Sequence, residues 1–358
     1  MANPERFVEL GCYGLAGHVS DPRVLLGEVR DAEGIGLGSV FLSERFNVKE
    51  AATLCGAAAA VSEEVGIATG VTNTPTRHPL VTAAWANTMH ELTRGRFALG
   101  IGRGIAPLVS VMGLPPITMA QMEDAVGIYR RLWKGEAVMG HDGPAGSYPY
   151  LSLGSFDNDI PVMAACLGFK TMRWAGRVLD GVILHTFVTD EALARCVAEV
   201  RVGAEETGRD PSTVKVWAVL ATLHEPDHER TLRGITGRMA TYFQAYGDAL
   251  VAMNGWDPAP LAAFRADPVV QSVPGAIDAV GTIEQLEHIQ TLIPEEWLPA
   301  AVGSAESCAA RILDQLAAGA DGVILHGSAP AELEPVVLAY AKVRPAGAFE
   351  GRAANPAR

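Results

Sequence analysis

The hexapeptide D-G-V-I-L-H occurs twice in this chain, at Asp180–His185 and at Asp321–His326. Each copy follows an alanine-rich helical pattern, Phe169–Val178 and Ser304–Ala318, and each precedes another, Glu191–Glu206 and Ala331–Val343. A helix, a turn, a short buried strand and a second helix form the unit of a β/α array. The glycine after each aspartate is expected to supply a left-handed turn into the strand. Few folds accommodate such a repeating unit, so this repeat constrains the architecture more than any other feature.

Six further apolar runs have the same character: Phe7–Tyr13, Leu37–Leu42, Val65–Gly70, Phe97–Ile101, Pro161–Ala165 and Val214–Leu220. With the two repeats they make eight. They lack polar alternation, as expected of strands covered on both faces. Helical patterns at Pro22–Glu33, Glu50–Glu64, Pro79–Leu92 and Met119–Trp133 separate the first of them. Eight such units predict an α/β fold, a (β/α)8 TIM barrel, rather than an open doubly wound sheet. One barrel domain is expected over residues 1–345, with residues 346–358 as a C-terminal tail. Two insertions interrupt it. Gly135–Asp159 is rich in glycine, proline and aspartate and reads as an irregular excursion. The second, about 225–303, lies between the seventh and eighth strands and reads as a helical lid, with helices over Glu229–Met253 and Ile283–Gln290.

The 358 residues are 49% hydrophobic and 19% charged, which excludes a disordered chain or a coiled coil. A net charge of −13 argues against nucleic acid as a partner, because no basic face can displace counterions from phosphates. The five cysteines are widely spaced with no C-x-x-C, so reduced thiols are expected rather than a disulfide frame or structural zinc. The N-terminus lacks a signal-peptide pattern and no apolar run is long enough to span a bilayer. A cytoplasmic protein acting on a small molecule, without membrane or nucleic-acid partners, is the expectation.

In a barrel the chemistry belongs at the C-terminal ends of the strands. Those ends read G-C-Y-G, S-E-R-F, G-V-T-N-T-P, G-I-G-R-G, A-C-L-G-F-K, H-T-F, A-T-L-H and H-G-S. They carry no metal-ligand pattern and no G-x-S-x-G elbow, so no metal site is expected. Gly102–Gly104 and Gly168–Lys170 instead place backbone N–H groups at a turn or helix start, where an anion can be held. Arg103 and Lys170 add positive charge there. Tight strand-to-helix turns alone would explain the same glycines.

Four segments resemble the bacterial luciferase-like family of flavin and deazaflavin oxidoreductases, most closely the branch that uses coenzyme F420. They are Ser43–Leu54, Gly70–Pro79 (G-V-T-N-T-P-T-R-H-P), Glu91–Gly104 (E-L-T-R-G-R-F-A-L-G-I-G-R-G) and Leu167–Gly176. The third-strand exit is similar to that of methylene-tetrahydromethanopterin reductases. The resemblance implies a non-prolyl cis peptide at Gly70–Val71, a bulge backing the deazaflavin, and ring contacts from Val71 and Asn73. It further implies a phosphate against Gly104 and Ile105 from one loop and Gly168, Phe169 and Lys170 from the next, with Gly102, Arg103, Cys166 and Leu167 also expected at the cofactor. The implied activity is hydride transfer between F420 and a small organic substrate, at a C=C, C=N or C=O bond, by a homodimer. An FMN-dependent monooxygenase and a non-catalytic flavin- or deazaflavin-binding protein are the alternatives.

The chain departs from some deazaflavin dehydrogenases, which carry Asp-His at the second-strand exit where Glu44 and Arg45 stand, and Glu where Ile105 stands. Glu44 and Arg45 are the candidate catalytic residues. Glu44 is expected near the ring or in an ion pair with Arg45 or Lys49, and Arg45 at an acidic group or in solvent. Arg77 and His78 are expected to brace the loop and cap the following helix. His185 and His326 end the repeated strands, so they face the mouth or pack beside it. Cys12 and Tyr13 line the substrate side or join the core.

Overall fold

The structure is a computed structural model that describes residues 5–46 and 48–358, with backbone alone at 106–108. Met1–Pro4 lie outside the described residues. Among the described residues twelve strands run in order: β1 (Phe7–Tyr13), β2 (Leu37–Leu42), β3 (Gly66–Thr69), β4 (Thr72–Asn73), β5 (Phe97–Gly102), β6 (Val138–Gly143), β7 (Gly146–Leu151), β8 (Val162–Ala165), β9 (Gly181–Ile183), β10 (Lys215–His224), β11 (Ala301–Gly303) and β12 (Gly322–His326). Parallel pairing runs β10–β12–β1–β2–β3–β5–β8–β9, and a β9–β10 pairing closes it into an eight-stranded barrel. Helices cover the outside, including Pro79–Leu92, Met119–Trp133 and Phe169–Val178, whose ends fall where the sequence patterns place them.

The barrel interior is filled, not hollow. Phe41, Ala68, Ala98, Met163, Ile183, Trp217, Val219 and Ile324 form one buried cluster there, and Tyr13 and Val71 pack on it. The larger core lies between strands and helices.

The two repeats play identical roles at the foot of the barrel. The Asp180 carboxylate accepts from Val162 N at 2.9 Å and pairs with Arg130 at 2.9 Å. The Asp321 carboxylate accepts from Val216 N at 2.8 Å and pairs with Arg201 at 2.8 Å. Each aspartate thus ties its strand to the neighbouring one. The glycines that follow have ordinary φ, contrary to the expected left-handed turn. They are glycine because a Cβ would meet the Met163 side chain at 2.8 Å from Gly181, and the Trp217 ring at 2.7 Å from Gly322. Interior side chains, not backbone conformation, demand them.

The first insertion is not irregular. β6 and β7 form an antiparallel hairpin, with Gly143 opposite Gly146. Asp124 pins its tip, accepting from Ala145 N at 2.8 Å and meeting His141 Nε2 at 2.9 Å. Its strands are largely exposed, so no apolar alternation marked them. The second insertion is helical, chiefly Arg238–Asn254, Ala259–Ala266 and Ile283–Gln290, but it ends in β11, which pairs with the extended end of β10. Residues 355–358 fold under the barrel: Asn355 Nδ2 donates to Gly95 O at 2.8 Å and Phe97 O at 3.0 Å, and Trp217 Nε1 donates to Pro356 O at 2.6 Å. No described helix is long and apolar enough to cross a membrane.

Candidate active site

The third-strand exit is built around a bulge. Ala68 pairs with Ala98, while Thr72 pairs with Ile101, so β3–β4 carries one residue more than β5 over this stretch. The extra length falls at Gly70–Val71, whose peptide is cis. Thr69 fixes the register: its hydroxyl donates to Gly100 O at 2.7 Å and accepts from Gly100 N at 2.8 Å. A Cβ at Gly100 would lie 1.9 Å from Thr69 O, and one at Gly102 would lie 2.6 Å from Val71 Cγ2. Both glycines are therefore the space into which the bulge fits.

Glu44 is the brace of this loop. Its side chain has no exposed surface, and its oxygens accept from Arg77 Nη2 at 2.5 Å, Arg77 Nη1 at 3.0 Å and Asn73 N at 2.8 Å. Thr72 Oγ1, Asn73 Nδ2 and Ala51 N complete the shell. Burial pushes its carboxyl up, but the Arg77 and Asn73 hydrogen bonds outweigh it and hold the group below the usual carboxylate range. The ion pair expected for Glu44 is real, but its partner is Arg77 rather than Arg45 or Lys49. Both of its oxygens are engaged within the loop. Arg77 braces the loop as anticipated, also pairing with Glu50, and His78 caps the helix Pro79–Leu92 through Leu80 N. Arg45 is exposed, with Nη1 3.3 Å from Gly17 O.

Two loops leave adjacent strands beside the bulge, because β5 pairs with β8. In the first, Arg103 and Ile105 are exposed, and Gly104, with φ +74°, approaches the Asn73 side chain. In the second, Ala165 is exposed at the strand end, so the space above the barrel is open there. Cys166 is buried, and burial pushes its thiol up to about 12, which keeps it neutral and inert as a nucleophile. Gly168, with φ +97°, starts the helix Phe169–Val178 with no side-chain cap and nothing within 4 Å of a Cβ. Lys170 is exposed in its first turn, and Leu167 and Phe169 are half-buried, the latter under the Arg195 guanidinium at 5.4 Å.

The opposite half of the mouth is polar and aromatic. His185 and His326, from the two repeats, meet over Thr186: His185 Nδ1 lies 3.0 Å from Thr186 O, and His326 Nδ1 lies 3.0 Å from Thr186 Oγ1. Tyr246 O–H donates to His185 Nε2 at 2.7 Å, and Tyr13 packs edge-on to His326 at 5.0 Å. Burial pulls His185 down to about 4 and His326 well below the usual histidine range, with the Arg238 charge adding to both, so both rings are neutral at pH 7. Cys12 is in the core, whereas Tyr13 is at the mouth.

Arg238, Tyr242 and Tyr246 come from the insertion and were not singled out in the sequence. Their spacing carried the signal: positions four apart share one face of a helix. That helix follows a π-helical turn, Leu232–Gly237, and breaks helical geometry at Tyr246 (φ −156°, ψ 33°), which aims the face at the mouth.

The family model described as luciferase-like monooxygenase matches residues 8–322. The chain belongs to that family. It is an enzyme, an oxidoreductase of the luciferase-like family. Among curated relatives, a 5,10-methylenetetrahydromethanopterin reductase of Methanolobus tindarius is 26% identical over 69% of this chain and 76% of its own length. An F420-dependent glucose-6-phosphate dehydrogenase of Beutenbergia cavernae is 31% identical over 59% of this chain and 67% of its own. Among solved structures, the coenzyme F420 dependent tetrahydromethanopterin reductase of Methanopyrus kandleri superposes with a TM-score of 0.75 at 18% identity, covering 92% of this chain and 97% of that one, a likeness of fold.

Proposed function

We propose that this enzyme transfers a hydride between coenzyme F420 and a small organic substrate at a C=C, C=N or C=O bond. The observation that carries the reading is the bulge at Val71 and Asn73, seated on Gly100, Gly102 and Gly104. A Cβ on any of the three would collide with the bulge or its neighbours. The half-buried Val71 and Asn73 of the bulge, with exposed Ala165 two strands on, fit a flat ring system. The uncapped start of Phe169–Val178, with Lys170, fits a phosphate. Both named curated relatives support a reductase or dehydrogenase, and one of them is F420-dependent by name.

When bound, the deazaflavin supplies or accepts the hydride. The chain's residues do the rest. Val71 and Asn73 contact the ring, with Asn73 held in place by Glu44. Backbone N–H groups of Gly168, Phe169 and Lys170, with Gly102–Ile105 from the neighbouring loop, hold the phosphate; Arg103 and Lys170 balance its charge. Glu44 is a positioning residue in this scheme. Substrate sits toward Tyr13, His185 and His326, where Tyr246 O–H and the Thr186 hydroxyl hold exchangeable protons. A cytoplasmic homodimer completes the proposal.

A monooxygenase using reduced FMN is the second reading, favoured by the family description. Fluorescence titration of the purified protein with F420 and with FMN separates them. Submicromolar F420 affinity with FMN at least tenfold weaker is expected. The reverse preference would move the enzyme to oxygen chemistry, and binding of neither would remove the cofactor assignment.

A further inference from the structure

Arg238 is buried at the mouth with only a loose counter-charge, Asp278. Its side chain is 7% exposed, and its Nε has no hydrogen-bond partner among the described residues. Nη1 lies 3.4 Å from His326 Nε2, a neutral ring, and the Tyr242 hydroxyl also faces the guanidinium. Asp278 comes only to 3.7 Å from Nη2, and that carboxylate is already shared with His18 at 3.0 Å and Thr241 Oγ1 at 2.8 Å. Buried guanidinium groups ordinarily have close, often bidentate, anionic partners.

The surroundings add two further cations, Lys49 and Arg45, to set against the carboxylates of Asp278 and Glu28. Lys49 is buried, donating to Leu15 O, and burial together with Arg45 and Arg238 pulls its ammonium down to about 8. Glu28 is a second buried carboxylate besides Asp278, and burial raises it toward the neutral form. In a chain of net charge −13, three cations gather at this half of the mouth against Asp278 and a Glu28 whose charge burial disfavours. Such a field favours an anion in the open site.

We propose that Arg238 is the substrate-recognition residue and that the substrate carries an anionic oxygen group, a carboxylate or a phosphate, bound by its guanidinium. A planar fork with an unused Nε–H suits either group, and Arg45 lies on the same side to share the charge. Calling the ligand a substrate rests on the hydride-transfer reading; the anion site itself does not.

Calorimetric titration of the full chain, alone and with F420, uses benzoate, inorganic phosphate and the uncharged isostere benzamide as probes. Benzoate or phosphate is expected to bind and benzamide not. Arg238→Met should weaken the anion at least tenfold, and Arg238→Lys, which keeps charge and loses the fork, by a smaller factor. F420 affinity should stay within twofold in both variants. The proposal fails if neither anion binds the wild type, if the Arg238 variants bind as well as wild type, or if Lys170→Ala abolishes binding while Arg238→Met does not. Arg238-dependent anion binding without any F420 affinity would uphold the anion site and sink the hydride-transfer reading.

Discussion

The carboxylate of Glu44 and the guanidinium of Arg77 lie 2.5 Å apart with 0% and 14% of their side chains exposed. Removing one partner of such a pair leaves an uncompensated buried charge. Glu44→Gln is therefore expected to lose about 2–4 kcal/mol in chemical denaturation at pH 7, with Glu50 retaining part of the Arg77 interaction. The pH dependence has a definite sign. Glu44 titrates lower in the folded than in the unfolded protein, so its contribution is complete above the ordinary carboxylate range and disappears as pH falls through the depressed folded value. The stability gap between wild type and Glu44→Gln should accordingly narrow on acidification, and a constant gap down to the acid transition would contradict the assignment. At this scale the sequence told where Arg77 would sit and that it would brace the loop. It did not tell that Glu44, 33 residues earlier, would be its partner. Pairings across strands depend on which side chains turn inward at the exits, and the linear spacing of charges does not carry that.

An element's legibility follows its burial. The barrel strands are continuous apolar runs because helices or the interior cover both faces, and their ends could be read to within a few residues. The hairpin β6–β7 could not, since its strands are mostly solvated and contain Gly, His, Asp and Pro with no apolar period. Likewise Arg238–Asn254 reads as a helix, while the face it turns to the mouth depends on the π-helical turn before it. The β3–β5 bulge is the element on which the cofactor proposal depends, and it can be tested sterically. Gly102→Ala would place a Cβ 2.6 Å from Val71 Cγ2, so Val71 must shift. Overpacking of this kind costs about 1–3 kcal/mol. Thermal melts should show that loss, and F420 affinity should fall at least tenfold as the ring's contact surface moves. Unchanged affinity with lowered stability would place the ring away from Val71.

Across the whole molecule, the two ends of the barrel do different work. Aspartates of the repeats tie strands together at the foot, while the histidines five residues later meet at the mouth, so one hexapeptide serves stability at one end and the site at the other. Residues 355–358 extend that division of labour. Ala357 joins the interior cluster, the Asn355 amide satisfies two carbonyls at the start of β5, and Arg358 pairs with Asp159 at 2.6 Å. The sequence marks 346–358 only as a tail, because single buried contacts made by a short, polar segment leave no periodic trace. Removing residues 355–358 would strip partners from Trp217 Nε1 and from the carbonyls of Gly95 and Phe97. Each buried group left unpaired costs about 1–3 kcal/mol, less wherever water enters the opened foot. A net loss of about 2–4 kcal/mol in denaturant unfolding is expected on that basis. Because the mouth lies at the other end of strands tied together independently by Asp180 and Asp321, F420 affinity should stay within twofold of wild type. A truncated chain that melts at the wild-type temperature would show that the foot is not sealed by this segment. One that keeps its stability but loses the cofactor would show instead that the interior cluster transmits packing from foot to mouth through Phe41 and Val71.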